Sequence, residues 1–406
     1  MYKFERKIVA NIKKHLSRKE ITVITGARQT GKTTVLKQIE KFLSEKGETS
    51  YLLTLEDPLL LNNLNEHPEK IFQFIRLNDK KIYLMLDEIQ YLDNPSNFLK
   101  LIFDKYEQQI KLIVTGSSAF YIDTKFSDSL TGRKQIFELY PLDFEEFLVF
   151  KEKEELIIEW QEIRNSTDYI SHKRNQIQSL FDEYLTYGGY PAVVLEKDIN
   201  EKKFKLKELF SSYLKRDVLE AGVQNQDKFF NLITLLANQC GSLLNTNEIS
   251  NTLKLSVTAV EHYLYILRKT YHIKLVRPFY TNIRKELTKM PKVFFNDLGF
   301  RNIIINRFSP IPQRLDRGIV AENFVFIRLR QLYDHQIIKY WRTSDGNEID
   351  FIIPQEEAKG VAIEVKFSQS EYKALKYKKF TVLYPDFHVI CKAFHADKNE
   401  NNILAM

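Results

Sequence analysis

The segment Gly26-Ala27-Arg28-Gln29-Thr30-Gly31-Lys32-Thr33 fills every fixed position of the pattern G-x-x-x-x-G-K-[ST]. Its flanks have the periodicities such a loop needs. Residues 21–25, Ile-Thr-Val-Ile-Thr, read as a buried strand, and residues 33–43 place Val35, Leu36, Ile39, Phe42 and Leu43 on one side of a helix. Strand, glycine-framed loop and helix start together make an anion cradle. Consecutive backbone N–H groups and the positive helix end face the phosphates, while the glycines keep side chains out of that space. In this pattern Lys32 reaches the β- and γ-phosphate oxygens and the Thr33 hydroxyl takes a place on Mg²⁺. The expected nucleotide contacts are therefore Gly26, Ala27, Arg28, Gln29, Thr30, Gly31, Lys32, Thr33 and Thr34, with ATP and Mg²⁺ as ligands.

A chain of 406 residues has room for about two to four domains, each with its own core. At 44% apolar and 28% charged residues it reads as globular rather than disordered. No apolar run approaches the ~20 residues that span a bilayer. The start, Met1-Tyr2-Lys3-Phe4-Glu5-Arg6, lacks the apolar core of a secretory signal. No membrane partner is expected. Cys240 and Cys391 have neither metal-type spacing nor an evident partner, which fits a reducing cytoplasm. The net charge of +7 permits a nucleic-acid partner without demanding one.

After the loop, apolar and amphipathic segments alternate: strands at 50–56, 81–86, 110–115 and 135–139, and helices at 68–77 and 98–106. That alternation predicts a mainly parallel sheet with helices on both faces. The strand ending Leu86 runs into Asp87-Glu88. A carboxylate pair at that end of a strand is where a P-loop enzyme coordinates Mg²⁺ and polarises water, so Asp87 is assigned to the metal and Glu88 to the water. The next strand ends Val114-Thr115-Gly116-Ser117-Ser118, whose Thr115 and Ser117 hydroxyls are placed to sense the γ-phosphate; a plain turn is the alternative. Arg133 is a candidate arginine finger, within the subunit or across an interface.

Residues 151–180 are charged and helix-compatible, and residues 201–219 pair a basic side with Phe204, Leu206, Leu209, Phe210, Tyr213 and Leu214. Three helices at 229–238, 247–253 and 257–269, then strands at 271–279 and 292–295, spell a winged helix-turn-helix, its third helix opening on a Thr258-x-x-Glu261 capping box. Lys274, Arg277, Arg284, Lys285, Lys289 and Lys292 lie in or near the wing, so any DNA contact should run mainly through phosphates.

Farther on, strands at 337–342 and 347–353 flank the turn pair Asp345-Gly346, and 361–367 reads as a third strand. Period-two alternation puts Glu348 and Asp350 on one face, and Glu364 with Lys366 on one face of the next strand. Asp350…Glu364-x-Lys366 resembles the PD-(D/E)xK nuclease core, with Glu322 on the helix 319–332 as its extra carboxylate. That resemblance implies a second divalent metal, Mg²⁺ or Mn²⁺, on Asp350, Glu364 and Glu322, with Lys366 orienting the attacking water. A polar sheet face with no chemistry is the competing reading.

Several stretches together resemble a family. They are residues 24–34, Leu86-Asp87-Glu88-Ile89-Gln90, Thr115-Gly116-Ser117-Ser118, Leu130-Thr131-Gly132-Arg133, and Tyr184-Leu185-Thr186-Tyr187-Gly188-Gly189-Tyr190-Pro191. The chain is similar to bacterial and archaeal proteins in which an AAA-type ATPase domain precedes a DUF4143 region. The resemblance implies an α/β fold class: an additional-strand P-loop NTPase core with a helical lid, then a winged helix-turn-helix and a restriction-endonuclease-like α/β domain. The expected divisions are 1–150, 151–225, 226–295 and 296–406. The expected activity is Mg²⁺-dependent ATP hydrolysis coupled to DNA binding, with metal-dependent cleavage left open. The alternative is a signalling switch or assembly factor with a silent nuclease-like domain; a P-loop kinase fits less well, for want of an acceptor-binding segment. ATP or ADP and DNA are the expected partners, and a homo-oligomer is left open.

Overall fold

Strands that alternate with helices must each cross over a helix before pairing, which makes the resulting sheet parallel. The computed structural model of the chain describes residues 4–116, 130–166, 169–219, 221–223, 225–280, 282–356, 359–396 and 398–406. It divides into two units, Met1–Tyr140 with Lys269–Tyr271, and Pro141–Arg268 with His272–Met406.

In the first unit five strands form one sheet: β1 (Ile21–Thr25), β2 (Ser50–Thr54), β3 (Ile82–Asp87), β4 (Ile110–Gly116) and β5 (Lys134–Glu138). Their order is β2-β3-β4-β1-β5 and every pairing is parallel. β4 is thus inserted between the phosphate-loop strand and the strand that ends in Asp87. Alternate residues feed two cores. Ile21, Val23, Leu84, Leu86, Leu112 and Val114 meet the side covered by the helix Pro95–Tyr106. Ile24, Met85 and Ile113 meet Val35, Leu36 and Ile39 of the helix Lys32–Glu45. Both faces being covered explains why these strands are apolar on consecutive residues.

The helix expected at 68–77 is a 3₁₀ turn, Pro68–Gln73, and the α-helix lies earlier, at Pro58–Glu66. Asp57 sets its start by accepting from the Leu59 N–H at 2.8 Å, with Pro58 in the first turn, where a missing N–H costs nothing.

The second unit begins with helices Phe144–Phe150, Glu154–Asn165, Arg174–Tyr187 and Ile199–Tyr213. Three more helices, Gln226–Asn238, Thr246–Leu253 and Val257–Lys269, precede the antiparallel hairpin of β6 (Ile273–Pro278) and β7 (Lys292–Phe295). The cap of the third helix is not Thr258, which lies inside it. Ser256 caps instead, accepting from the Ala259 N–H at 3.1 Å. β8 (Lys339–Arg342), β9 (Glu348–Glu356), β10 (Lys359–Ser368) and β11 (Phe387–His395) complete a six-stranded sheet of order β11-β10-β9-β8-β6-β7. The wing hairpin therefore continues the C-terminal sheet, through Arg277 opposite Lys339 and Pro278 opposite Tyr340. Among the described residues no helix is long and apolar enough to cross a membrane. Cys240 and Cys391 are both buried and unbridged.

His272 is buried between Phe300, stacked at 4.1 Å, and the edge of Tyr213 at 4.0 Å. Burial lowers its pKa from 6.5 to about 3. The unfolded chain therefore takes up this proton first on acidification, and stability falls as pH drops from 6.5 toward 3, by up to about 1.4 kcal/mol per pH unit. His272→Phe is expected to flatten that limb in acid melts followed by circular dichroism. An unchanged slope would show that His272 is not the group responsible.

Candidate functional site

The nucleotide-site residues collect at the carboxyl ends of β1, β3 and β4, where an open parallel sheet leaves a crevice. Gly26 cannot be larger: a Cβ there would lie 2.1 Å from the Leu139 carbonyl oxygen. Gly31 holds φ 96°, a left-handed turn that starts the helix Lys32–Glu45 with no side chain over its first N–H groups. The Lys32 ammonium donates to the Gly26 and Ala27 carbonyls at 3.1 Å each, spanning the loop. Thr30 braces the turn by donating to the Ala27 carbonyl at 2.8 Å. Arg28 is half-buried, Gln29 exposed with φ 62°, and Thr34 half-buried beside them.

Thr33 donates to Asp87 Oδ2 at 2.6 Å. Thr115 donates to Asp87 Oδ1 and accepts from the Glu88 N–H at 2.9 Å. The inserted strand β4 thereby sets the side chain of Asp87 and the backbone of Glu88. Thr115 is fully buried, and its hydroxyl is bonded to Asp87 and Glu88. Glu88 takes φ 59°, a left-handed turn that is strained for a residue with a Cβ, and its Oε2 accepts from Gln90. The donors, loop and carboxylates fit a magnesium–nucleotide ligand. Ser117 lies outside the described residues.

Arg133 is not brought to this site. Its carbonyl accepts from the Ile21 N–H at 2.8 Å, at the amino end of β1, roughly 13 Å along the strand from the loop. Its guanidinium instead pairs with Asp104 at 2.8 Å. The finger within the subunit is thus withdrawn. Arg6 is the residue the sequence reading missed: it is buried, and its guanidinium donates to the Thr30 carbonyl at 2.7 Å and the Tyr140 carbonyl at 2.8 Å. A lone arginine before the first helix has no motif to reveal it.

The second set gathers in the other unit. Asp350 Oδ2 accepts from the Val365 N–H at 2.8 Å, which ties β9 to β10 between Glu364 and Lys366. Lys366 is ion-paired with Glu364. Lys292, in the wing strand β7 as expected, is buried, its ammonium 2.9 Å from Glu322, 2.6 Å from Glu348 and 3.6 Å from Asp350. Lys274 is buried as well, which leaves Arg277, Arg284, Lys285 and Lys289 as the exposed basic residues of that segment. Burial opposes the Lys292 charge, but Glu322, Asp350 and Glu348 outweigh it and hold the ammonium well above the usual lysine range. Burial pushes Glu364 up, and Asp350 pushes it further. Among the described residues no group of three or more His, Cys, Asp or Glu side chains is arranged to hold a metal ion. The carboxylates Glu322, Asp350 and Glu364, expected as ligands, are engaged by lysines and do not form an open ligand set.

Residues 18–148 match the AAA domain family AAA_14. Residues 317–402 match the domain of unknown function DUF4143. The chain carries an AAA domain followed by a DUF4143 region. Between the two, residues 178–310, which include the wing hairpin, match a further domain of unknown function, DUF8612. Similar proteins include an uncharacterized protein of Haemophilus influenzae, 28% identical over 82% of this chain and 79% of its own. An uncharacterized protein of Methanocaldococcus jannaschii is 27% identical over 89% of this chain and 78% of its own. Among solved structures, the Thermotoga maritima RuvB Holliday junction branch migration motor matches with 14% identity over 66% of this chain and 87% of that one, at a TM-score of 0.33. AMPPCP-bound DnaA from Aquifex aeolicus matches with 17% identity over 64% and 86%, at a TM-score of 0.28. The AAA domain has the P-loop NTPase fold, with the strand that ends in Thr115 inserted between the loop strand and the acidic strand.

Proposed function

We propose that the chain is a Mg²⁺-dependent ATP hydrolase that engages a nucleic-acid backbone through exposed basic residues around the helix Ile283–Thr288. The observation that carries the hydrolase reading is the hydrogen-bonded run from Thr33 through Asp87 and Thr115 to Glu88. Mg²⁺, held by Thr33 and Asp87, would supply charge neutralisation at the phosphates. Lys32 and the first-turn N–H groups bind and orient the β- and γ-phosphates. The Glu88 carboxylate accepts the proton of the attacking water, and Gln90 holds its Oε2 in place. A kinase would need a second substrate in place of that water, and a glutamate directly after the metal-binding aspartate suits water better.

Two basic clefts support the nucleic-acid part. One, of about 300 Å³, is lined by Arg268, Arg277, His335 and Lys339, with Glu286 also in its wall and paired to Lys339. The other, of about 410 Å³, is lined by Lys285, Lys289, Arg342, Tyr280 and Tyr340. Spaced cations beside two tyrosines suit a phosphate backbone with little base reading. The recognition helix adds little charge, since its exposed residues include Thr258, Glu261 and His262 with Arg268 at its end. Arg133, paired with Asp104 at the amino end of β1, would serve a γ-phosphate only in a neighbouring copy, which keeps a homo-oligomer within the proposal.

Lys285→Glu with Lys289→Glu is expected to weaken double-stranded DNA retention and to lower the slope of log affinity against log salt by about two. DNA should stimulate ATP turnover in the parent and not in the double variant. Equal retention and equal slope would remove the nucleic-acid reading and leave a protein-assembly switch. Metal-dependent cleavage at Asp350, Glu364 and Lys366 forms no part of this reading, because lysines already lie against those carboxylates.

A further inference from the structure

We infer that Lys292 is the resident cation of the C-terminal carboxylate cluster, so that the cluster works as a lysine-held clasp rather than a divalent-metal centre. Two separate elements send three carboxylates to one ammonium: Glu322 from the helix Arg317–Leu332, and Glu348 and Asp350 from β9, around the side chain that leaves β7. Its contacts of 2.6 and 2.9 Å have the length of charge-assisted hydrogen bonds, and Lys292 is 1% exposed. A divalent ion bridging the same oxygens would sit 2.0–2.6 Å from them, in the volume the ammonium fills.

Lys292 has little freedom to withdraw. Its backbone pairs with Val276 on one side and bridges to Leu243 on the other, so moving it breaks the sheet edge. The Tyr340 ring lies 5.6 Å from the ammonium as a further wall. Glu322 is confined from behind by Gly241, where a Cβ would come within 2.8 Å of Oε2. Cations already face the cluster's carboxyl groups without a metal, and burial pushes Glu322 among them up to about 8, so fewer than four full negative charges remain to be met. Lys292, Lys366 and Arg342 are three cations set against the four carboxylates of Glu322, Glu348, Asp350 and Glu364. A divalent ion would therefore enter beside an ammonium of like sign. The inference is independent of the ATP site and goes beyond the hydrolase reading, because it assigns the second cluster its occupant.

The test uses the full chain with Asp87→Ala as parent, so that the nucleotide site contributes no metal binding. Mn²⁺ is titrated and its free form followed by electron paramagnetic resonance. The parent and its Asp350→Asn derivative are expected to leave equal Mn²⁺ free. The Lys292→Ala derivative should take up one Mn²⁺ per chain and melt roughly 10 °C lower without it. A parent that binds one Mn²⁺ and loses it with Asp350→Asn would overturn the inference, as would a Lys292→Ala chain that melts like the parent. If Lys292→Ala does not fold, the parent and Asp350→Asn titrations decide between the two occupants on their own.

Discussion

Glu88→Gln is expected to keep ATP bound and to lower its turnover by roughly 10²–10⁴-fold. Glutamine preserves the shape and still meets the Gln90 side chain, but it cannot accept the proton of a water. The left-handed backbone at Glu88 and the Thr115 hydroxyl on its N–H depend only on main-chain atoms, so the variant should not disturb them. Equilibrium binding of a fluorescent ATP analogue should match the wild type while phosphate release in single turnover collapses. Wild-type turnover in this variant would mean that another group activates the water, and the assignment at the end of β3 would fall.

The second large effect is at Lys32. Lys32→Ala removes the ammonium that lies between the Gly26 and Ala27 carbonyls and should abolish nucleotide binding measurable by calorimetry. Residual turnover should be down by at least roughly 10²–10³-fold, the scale for losing one charged donor aimed at the reacting group. Folding should survive, because Arg6 and Thr30 brace the loop independently of Lys32. Melting temperature is the control for that. ATP binding at wild-type strength in Lys32→Ala would remove the phosphate role of the loop.

The first unit was readable because its signals are local. A strand, a glycine-framed loop and an acidic strand end are each spelled by consecutive residues, and all came together where the motif placed them. Thr115 was legible as a hydroxyl at a strand end, but its partners were not. Its position allowed either a phosphate or a plain turn, and the strand order brings its hydroxyl onto Asp87 and Glu88. Arg133 sits at the far end of β1 from the loop, because a position in the sequence does not say which end of a strand a side chain adjoins. The helix Pro58–Glu66 is weakly spelled, because Asp57-Pro58 signals a turn as readily as a helix start.

Lys292 shows the limit most clearly. By composition it belonged with the basic wing, and period-two alternation in a four-residue strand cannot say what faces it. The chain's order of residues determined the phosphate loop, the acidic pair, the parallel sheet and the alternation of Glu348 with Asp350, since each follows from spacing along one element. Only tertiary structure decided that β4 would stand between β1 and β3, that Arg6 would hold the loop, and that Lys292 would enter a cluster of three carboxylates. Those facts join residues tens to more than a hundred positions apart, and their energies come from burial and pairing that exist only once the chain has closed.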